Sequence, residues 1–202
     1  MTAAVTLRTA TMADVADINR LIAENMEAGH LLPRTLDDLQ AHAARFTVAA
    51  AGDRIVGCAE LAPLGTGVAE VRSLVVDEAL RGRHIGSGLL DHMSASAAAS
   101  GFSTLCAFTH DPALFVRLGF TIVPHIWVPE KVALDCTSCP LFRHCGQYAV
   151  MLPLRPGVSV RPERPAALIQ GSRSIASRRP NIERLHLASP PVREVEREAV
   201  PA

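Results

Sequence analysis

Residues 71–90, "VRSLVVDEALRGRHIGSGLL", constrain the fold of this chain more than any other stretch. An apolar strand runs into an Arg/Gly turn, and the turn opens directly onto an amphipathic helix. Such an order builds an anion site, because the first amides of a helix have no intrahelical acceptor and sit at the positive end of its macrodipole. The successive N–H groups of Gly82, Arg83, His84, Ile85, Gly86 and Ser87 suit a pyrophosphate, and Arg81 and Arg83 add charge. Taken alone, the same residues also fit an ordinary strand-to-helix turn beside a solvated basic pair.

The flanking segments extend the pattern. Val5 to Thr9 reads as a short strand, and Thr11 with Asp14 forms a capping box for a helix carrying Val15, Ile18 and Ile22 on one face, through about Ala28. A second short helix is expected near Leu36 to Ala44. Three strands in an antiparallel meander follow, with turns at Gly52-Asp53 and Gly65-Thr66-Gly67. Ile85, Leu89, Met93 and Ala97 mark the buried face of the helix after the anion turn, and Gly101 caps its end. Ser103 to Phe108 reads as a strand, "THDPALFVRLGF" as a short helix closing on Gly119-Phe120, and Gln147 to Leu154 as a last strand.

Strand, turn, helix, strand, short helix and Gly-Phe together resemble the Gcn5-related N-acetyltransferase (GNAT) family, whose turn reads Arg/Gln-x-x-Gly-x-Gly/Ala. Here it is Arg81-Gly82-Arg83-His84-Ile85-Gly86, with His84 where the first motif glycine is usual. The resemblance implies an α/β (α+β) GNAT fold: a central mixed, mostly antiparallel sheet flanked by helices, with acetyl-CoA as co-substrate. It also implies a base at Glu70, acting directly or through water, and a bulge letting the amides of Leu74, Val75 and Val76 polarise the thioester. The residue types leave a Glu70–Arg72 ion pair open as well, since i and i+2 share a strand face. The family's thiolate-protonating Tyr is replaced by Phe115, so the acid is another group, a water or none at all, with Thr109 at the end of the preceding strand as one candidate.

A closer resemblance lies in "LLPRTLDDLQAHAARFTV", "GCAELAPL" and above all "PEKVALDCTSCPLFRHCGQYAVMLPL". These segments are similar to short, single-domain amino-acid N-acetyltransferases of N-acetylglutamate synthase type, over roughly residues 5–154. The likeness implies acetyl transfer to the α-amino group of L-glutamate, the first step of arginine biosynthesis, with Arg34 clamping the amino acid. Guanidinium geometry suits a carboxylate. Arg72, Ser73 and Lys131 are the other candidates for acceptor binding. Alternatives are a GNAT enzyme acting on glutamine or another small amine, and a non-catalytic acetyl-CoA-binding sensor. A homodimer through the late strands fits the family.

Cys136-x-x-Cys139, with His144 and Cys145 following, has the spacing of a structural zinc site. Asp135 or His125 can complete the shell, because adjacent His144 and Cys145 are awkward ligands. Reduced thiols packed in a loop are the other reading. Cys58 and Cys106 sit in strands and belong to the core.

Lys and Arg together number 20, as do Asp and Glu, which argues against a dedicated nucleic-acid binder. The balance is uneven: residues 155–202 hold nine Arg against five Asp and Glu. The expected organisation is a catalytic domain over 1–154, with a Cys-rich insertion at 124–146, and a disordered basic Pro/Arg/Ser-rich tail over 155–202. No apolar run reaches membrane-span length and no export signal is visible, so a cytoplasmic protein without membrane partners is expected.

Overall fold

The computed structural model describes residues 4–26, 31 and 33–161. Seven strands form one sheet in the order β1-β2-β3-β4-β5-β7-β6. They are β1 (Val5–Thr9), β2 (Phe46–Ala51), β3 (Arg54–Pro63), β4 (Val68–Val76), β5 (Thr104–Thr109), β6 (Thr121–Val123) and β7 (Tyr148–Pro153). Every neighbouring pair is antiparallel except β4 and β5. The sheet is therefore mixed and mostly antiparallel, as expected.

Helices α1 (Val15–Met26) and α2 (Leu36–Ala41) cover one face, and α3 (Ile85–Ala99) covers the other. The two faces are legible in β2 and β3: Val48, Ala50 and Ile55 join Ile18, Leu21 and Ile22, whereas Ala49 and Val56 join Ile85 and Leu89. Alternation across a pleated strand sends neighbouring residues to opposite sides, so a strand buried on both faces is apolar throughout. Gly57 permits the close approach of α3, since a Cβ there would stand 3.1 Å from the Val75 carbonyl oxygen and 3.3 Å from Leu89 Cδ1.

Local signals set the helix ends. The Asp14 carboxylate accepts from the Thr11 amide at 2.7 Å and its hydroxyl at 2.9 Å before α1 begins. α3 ends in a Schellman motif: Phe102 N–H donates to Ala97 O, Gly101 N–H donates to Ala98 O, and Gly101 has φ of 92°. The expected continuation of α1 to Ala28 lies outside the described residues. The second helix is shorter than expected, α2 giving way to a 3-10 turn at Ala43–Arg45.

The 124–146 insertion carries more structure than its Pro and Cys content suggested. After α4 (Ala113–Arg117) and β6, a helical turn α5 (Pro129–Lys131) widens into a π turn over Val132–Cys136, closed by Thr137 N–H donating to Val132 O. Val128, fully buried with Cys106, Val123 and Met151, anchors it to the sheet. The start of the expected tail is tied down as well: Arg155 donates to Gly101 O at 2.6 Å, and Val160 packs beside Val128's cluster. The remainder of that segment, from residue 162, lies outside the described residues. Among the described residues no helix is long and apolar enough to cross a membrane.

Candidate active site

β4 and β5 run side by side only from Val68 opposite Thr104 to Val71 opposite Ala107. Beyond that point both continue, β4 to Val76 along β3 and β5 to Thr109 along β7, but they no longer pair. A cleft of about 1360 Å³ opens where they part, lined at one end by Arg34, Glu70 and Lys131 and at the other by Gly82, His84 and Ser87.

The wall formed by β4 is bulged. Cys58 pairs with Val75 and Glu60 with Arg72, so Ser73 and Leu74 together face the single residue Ala59. Ser73 takes φ of 49°, which turns the backbone of Leu74 to Val76 along the cleft. The expected bulge is present. At the far end His84 takes φ of 61° as the N-cap of α3. These two are the only non-glycine residues with positive φ among the described residues, and both line the cleft. Each such conformation costs roughly 1–2 kcal/mol and persists where the surroundings enforce it, most often at working sites.

The turn from Gly82 into α3 has a regular strand-to-helix geometry. Gly82 takes φ of 76°, and Gly88 N–H donates to His84 O at 2.9 Å as the first helical bond. The amides of Ile85, Gly86 and Ser87 therefore head a four-turn helix with no backbone acceptor among the described residues. Arg81 lines the cleft and donates to Asn25 Oδ1 at 2.6 Å, tying the turn to α1. Arg83 is exposed and stands outside the cleft lining.

At the other end lie two ion-pair clusters. In the first, Arg34 donates to Glu60 Oε2 at 2.7 Å, to Asp38 through Nε, and to Ser73 Oγ at 3.4 Å. Its guanidinium carbon stands 5.9 Å from the Phe46 ring centroid. Burial works against the Arg34 charge, but Glu60 and Asp38 more than offset it and hold its pKa above the ordinary value. In the second cluster, Lys131 Nζ lies 2.7 Å from Glu70 Oε1, and Arg72 Nε donates to Glu70 Oε2 at 2.6 Å. Asp135 Oδ2 stands 2.6 Å from Arg72 Nη2 and 2.8 Å from Lys131 Nζ. The Glu70–Arg72 pair is thus real. It coexists with a place in the cleft rather than replacing it.

Arg34, Arg72, Ser73, Lys131 and Glu70 are brought together, with Leu74, Val75 and Val76 along the wall between them and the anion turn. Thr109 also lines the cleft, but its hydroxyl donates to Asp111 O at 3.0 Å and accepts from Asp111 N–H, as a turn residue does. Phe115 is buried against Phe120, ring centroids 5.3 Å apart. Two acids were not singled out from sequence as site residues, Glu60 and Asp38. Glu60 had a readable signal: a carboxylate inside an otherwise apolar strand needs a cation, because a buried unpaired charge is too costly.

The zinc reading is not supported. Among the described residues no group of three or more His, Cys, Asp or Glu is placed to hold a metal, so Cys136, Cys139, Cys145 and His144 form no ligand set. The π turn and the 3-10 turn Phe142–His144 give the segment backbone order of its own, and Asp135 faces Arg72 and Lys131. His125, the other alternative ligand, has Nε2 at 2.8 Å from Gln147 O. The three cysteines are free thiols along the cleft.

A parallel pair splaying beside a bulged strand, with a helix N-terminus at the mouth, makes a cleft that suits an extended ligand ending in an anionic group. The domain model described as an acetyltransferase (GNAT) domain matches residues 42–122. An uncharacterized N-acetyltransferase of Chlorobaculum tepidum is 30% identical over 145 residues, 72% of this chain and 94% of that protein. The chain belongs to the GNAT acetyltransferase family. An amino-acid acetyltransferase of Mycobacterium tuberculosis is 30% identical over 129 residues, 62% of this chain and 74% of that one. Among solved structures, N-acetylglutamate synthase of Neisseria gonorrhoeae, complexed with coenzyme A and N-acetyl-glutamate, superposes with a TM-score of 0.69 at 25% identity. That match covers 77% of this chain and 36% of the synthase.

Proposed function

We propose that this protein transfers the acetyl group of acetyl-CoA to the α-amino group of L-glutamate. The observation that carries the reading is the convergence of Arg34, Arg72 and Lys131 on the end of the cleft opposite the anion turn, beside the carboxylate of Glu70. An acceptor bearing carboxylates needs cations there, and an amine entering between them meets a proton acceptor. The relatives named as amino-acid acetyltransferases support the same substrate class.

In this mechanism the pyrophosphate rests on the amides of Gly82 to Ser87, and the pantetheine arm lies along the wall from Val76 to Leu74. Backbone amides beyond the Ser73 bulge polarise the thioester oxygen. The amine nitrogen attacks the carbonyl carbon, the C–S bond breaks, and the thiolate leaves with the bonding pair. Both oxygens of Glu70 are already held by Lys131 and Arg72, so it accepts the amine proton through a water rather than by direct contact.

One observation favours a second reading. The three cations face four carboxylates of the chain itself, Asp38, Glu60, Glu70 and Asp135, which leaves the acceptor end with no excess positive charge. An acceptor with one carboxylate, such as glutamine, fits this balance. The test follows release of the CoA thiol with a panel of amino acids. Turnover dependent on glutamate supports the first reading, and turnover with glutamine but not glutamate the second. Tight acetyl-CoA binding without turnover would make the protein a sensor. Glu70→Gln is expected to lower kcat by about 100-fold and flatten its pH profile, and an unchanged profile would leave Glu70 with a structural role.

A further inference from the structure

Of the four carboxylates at the acceptor end, Asp135 differs from Glu60 and Glu70. Those two side chains are 2% and 3% exposed and come from the sheet, whereas that of Asp135 is 39% exposed and comes from the 124–146 insertion. Its Oδ2 alone bridges Arg72 Nη2 and Lys131 Nζ, at 2.6 and 2.8 Å, and Oδ1 accepts no hydrogen bond among the described residues. Glu70, by contrast, uses both oxygens.

Helix stability does not explain the contact. Lys131 precedes Asp135 by four residues, the orientation opposed to the helix dipole and the weaker of the two i, i+4 arrangements. The chain also leaves regular helix geometry over Val132–Cys136, where a π turn inserts an extra residue and presents Asp135 to the cleft. Such turns are uncommon and cluster at working sites.

We propose that Asp135 is an internal stand-in for an acceptor carboxylate: it occupies the point between Arg72 and Lys131 that the substrate's carboxylate takes, and it swings out when the acceptor binds. The inference rests on the amino-acid acceptor of the proposed function. It makes the insertion a specificity element, because only an acceptor anion placed between both cations repays the displacement of Asp135. The exchange is one carboxylate for another, so the pair of cations stays neutralised at every stage and Glu70 keeps its position. Burial raises the Asp135 pKa, but Lys131 and Arg72 outweigh it and hold the carboxyl below its ordinary range, so the stand-in is charged at neutral pH.

The test uses the full chain and the acceptor that the amino-acid panel identifies. Asp135→Asn keeps the shape and removes the competing charge. Its acceptor KM is expected to fall roughly two- to fivefold, the size of one partly exposed ion pair, with the acetyl-CoA KM unchanged. Glutarate, a dicarboxylate without an amine, provides a readout independent of turnover: by calorimetry it should bind the variant more tightly by a similar factor. Asp135→Ser serves as the second variant if the amide disturbs the π turn. An acceptor KM and glutarate affinity that stay level or worsen in both variants would mean that Asp135 aligns the two cations, and the stand-in idea is then wrong. Absence of turnover with every amino acid overturns the acceptor reading and this inference with it, which separates the two failures.

Discussion

Arg34 holds Glu60 and, in the function proposed above, also the acceptor, and a single substitution would confound these two roles. Arg34→Met removes the partner of Glu60, whose side chain is 2% exposed and accepts no other side-chain hydrogen bond among the described residues. A carboxylate stranded in this way costs about 3–5 kcal/mol when its pair is fully buried. The Arg34 side chain is 14% exposed, so the lower end, about 3 kcal/mol, applies here. For a domain of this size that is a fall in Tm of roughly 6–12 °C. Adding Glu60→Gln removes the stranded charge, and the double variant should recover about 2 kcal/mol, or roughly 4–8 °C. Thermal unfolding of the wild type, both single variants and the double variant completes the cycle. Equal Tm values for Arg34→Met and the double variant would refute the buried-pair argument. Kinetics of the recovered double variant then isolate the other role: the acceptor KM should stay high while the acetyl-CoA KM stays normal, and equal changes in both would remove Arg34 from acceptor binding.

Three further outcomes are expected. His84→Gly relieves the left-handed backbone at the N-cap of α3 and, after the added chain entropy, should stabilise the protein by about 0.5 kcal/mol in urea unfolding, whereas His84→Val should destabilise it by about 1–2 kcal/mol. The bidentate hydrogen bonds from Arg8, outweighing burial, hold the Asp14 carboxyl far below the usual range, so its contribution is complete above the unfolded value near 4 and is lost as pH falls through the lowered folded value. Acid unfolding below about pH 4 should therefore be shallower in Asp14→Asn than in the wild type. Burial pushes the Cys58 thiol up to about 12 and raises that of Cys106 further, so a thiol reagent at pH 8 should titrate three cysteines in the native protein and five after unfolding.

The fold was legible where local chemistry and burial agree. The capping box at Thr11, the glycine cap at Gly101 and the apolar period of α3 each specify a boundary or a face without help from distant residues. His84 was legible too, as the residue standing where a glycine belongs, and its positive φ is the physical content of that irregularity. The ion-paired end of the cleft was legible only in part, because ion pairs between residues 26 and 63 positions apart depend on how the sheet and the 124–146 segment meet. Cys spacing suggested a metal through local distance alone, yet the ligand vectors are set by the π turn, which spacing does not encode.

The parting of β4 and β5 also has a thermodynamic meaning. An inner strand normally pairs on both edges along its length, and here two inner strands each give up one partner partway along, next to a bulge and two enforced backbone conformations. In the function proposed above, an extended, amide-bearing arm lying in the gap would act as a short surrogate strand, so that the ligand completes the fold as well as entering it. Each tenfold rise in such a ligand above its Kd adds about 1.4 kcal/mol to the folded state. On that reading the resistance of the domain to unfolding is coupled to the acyl-carrier supply around it, with the half-paired strands as the point of coupling.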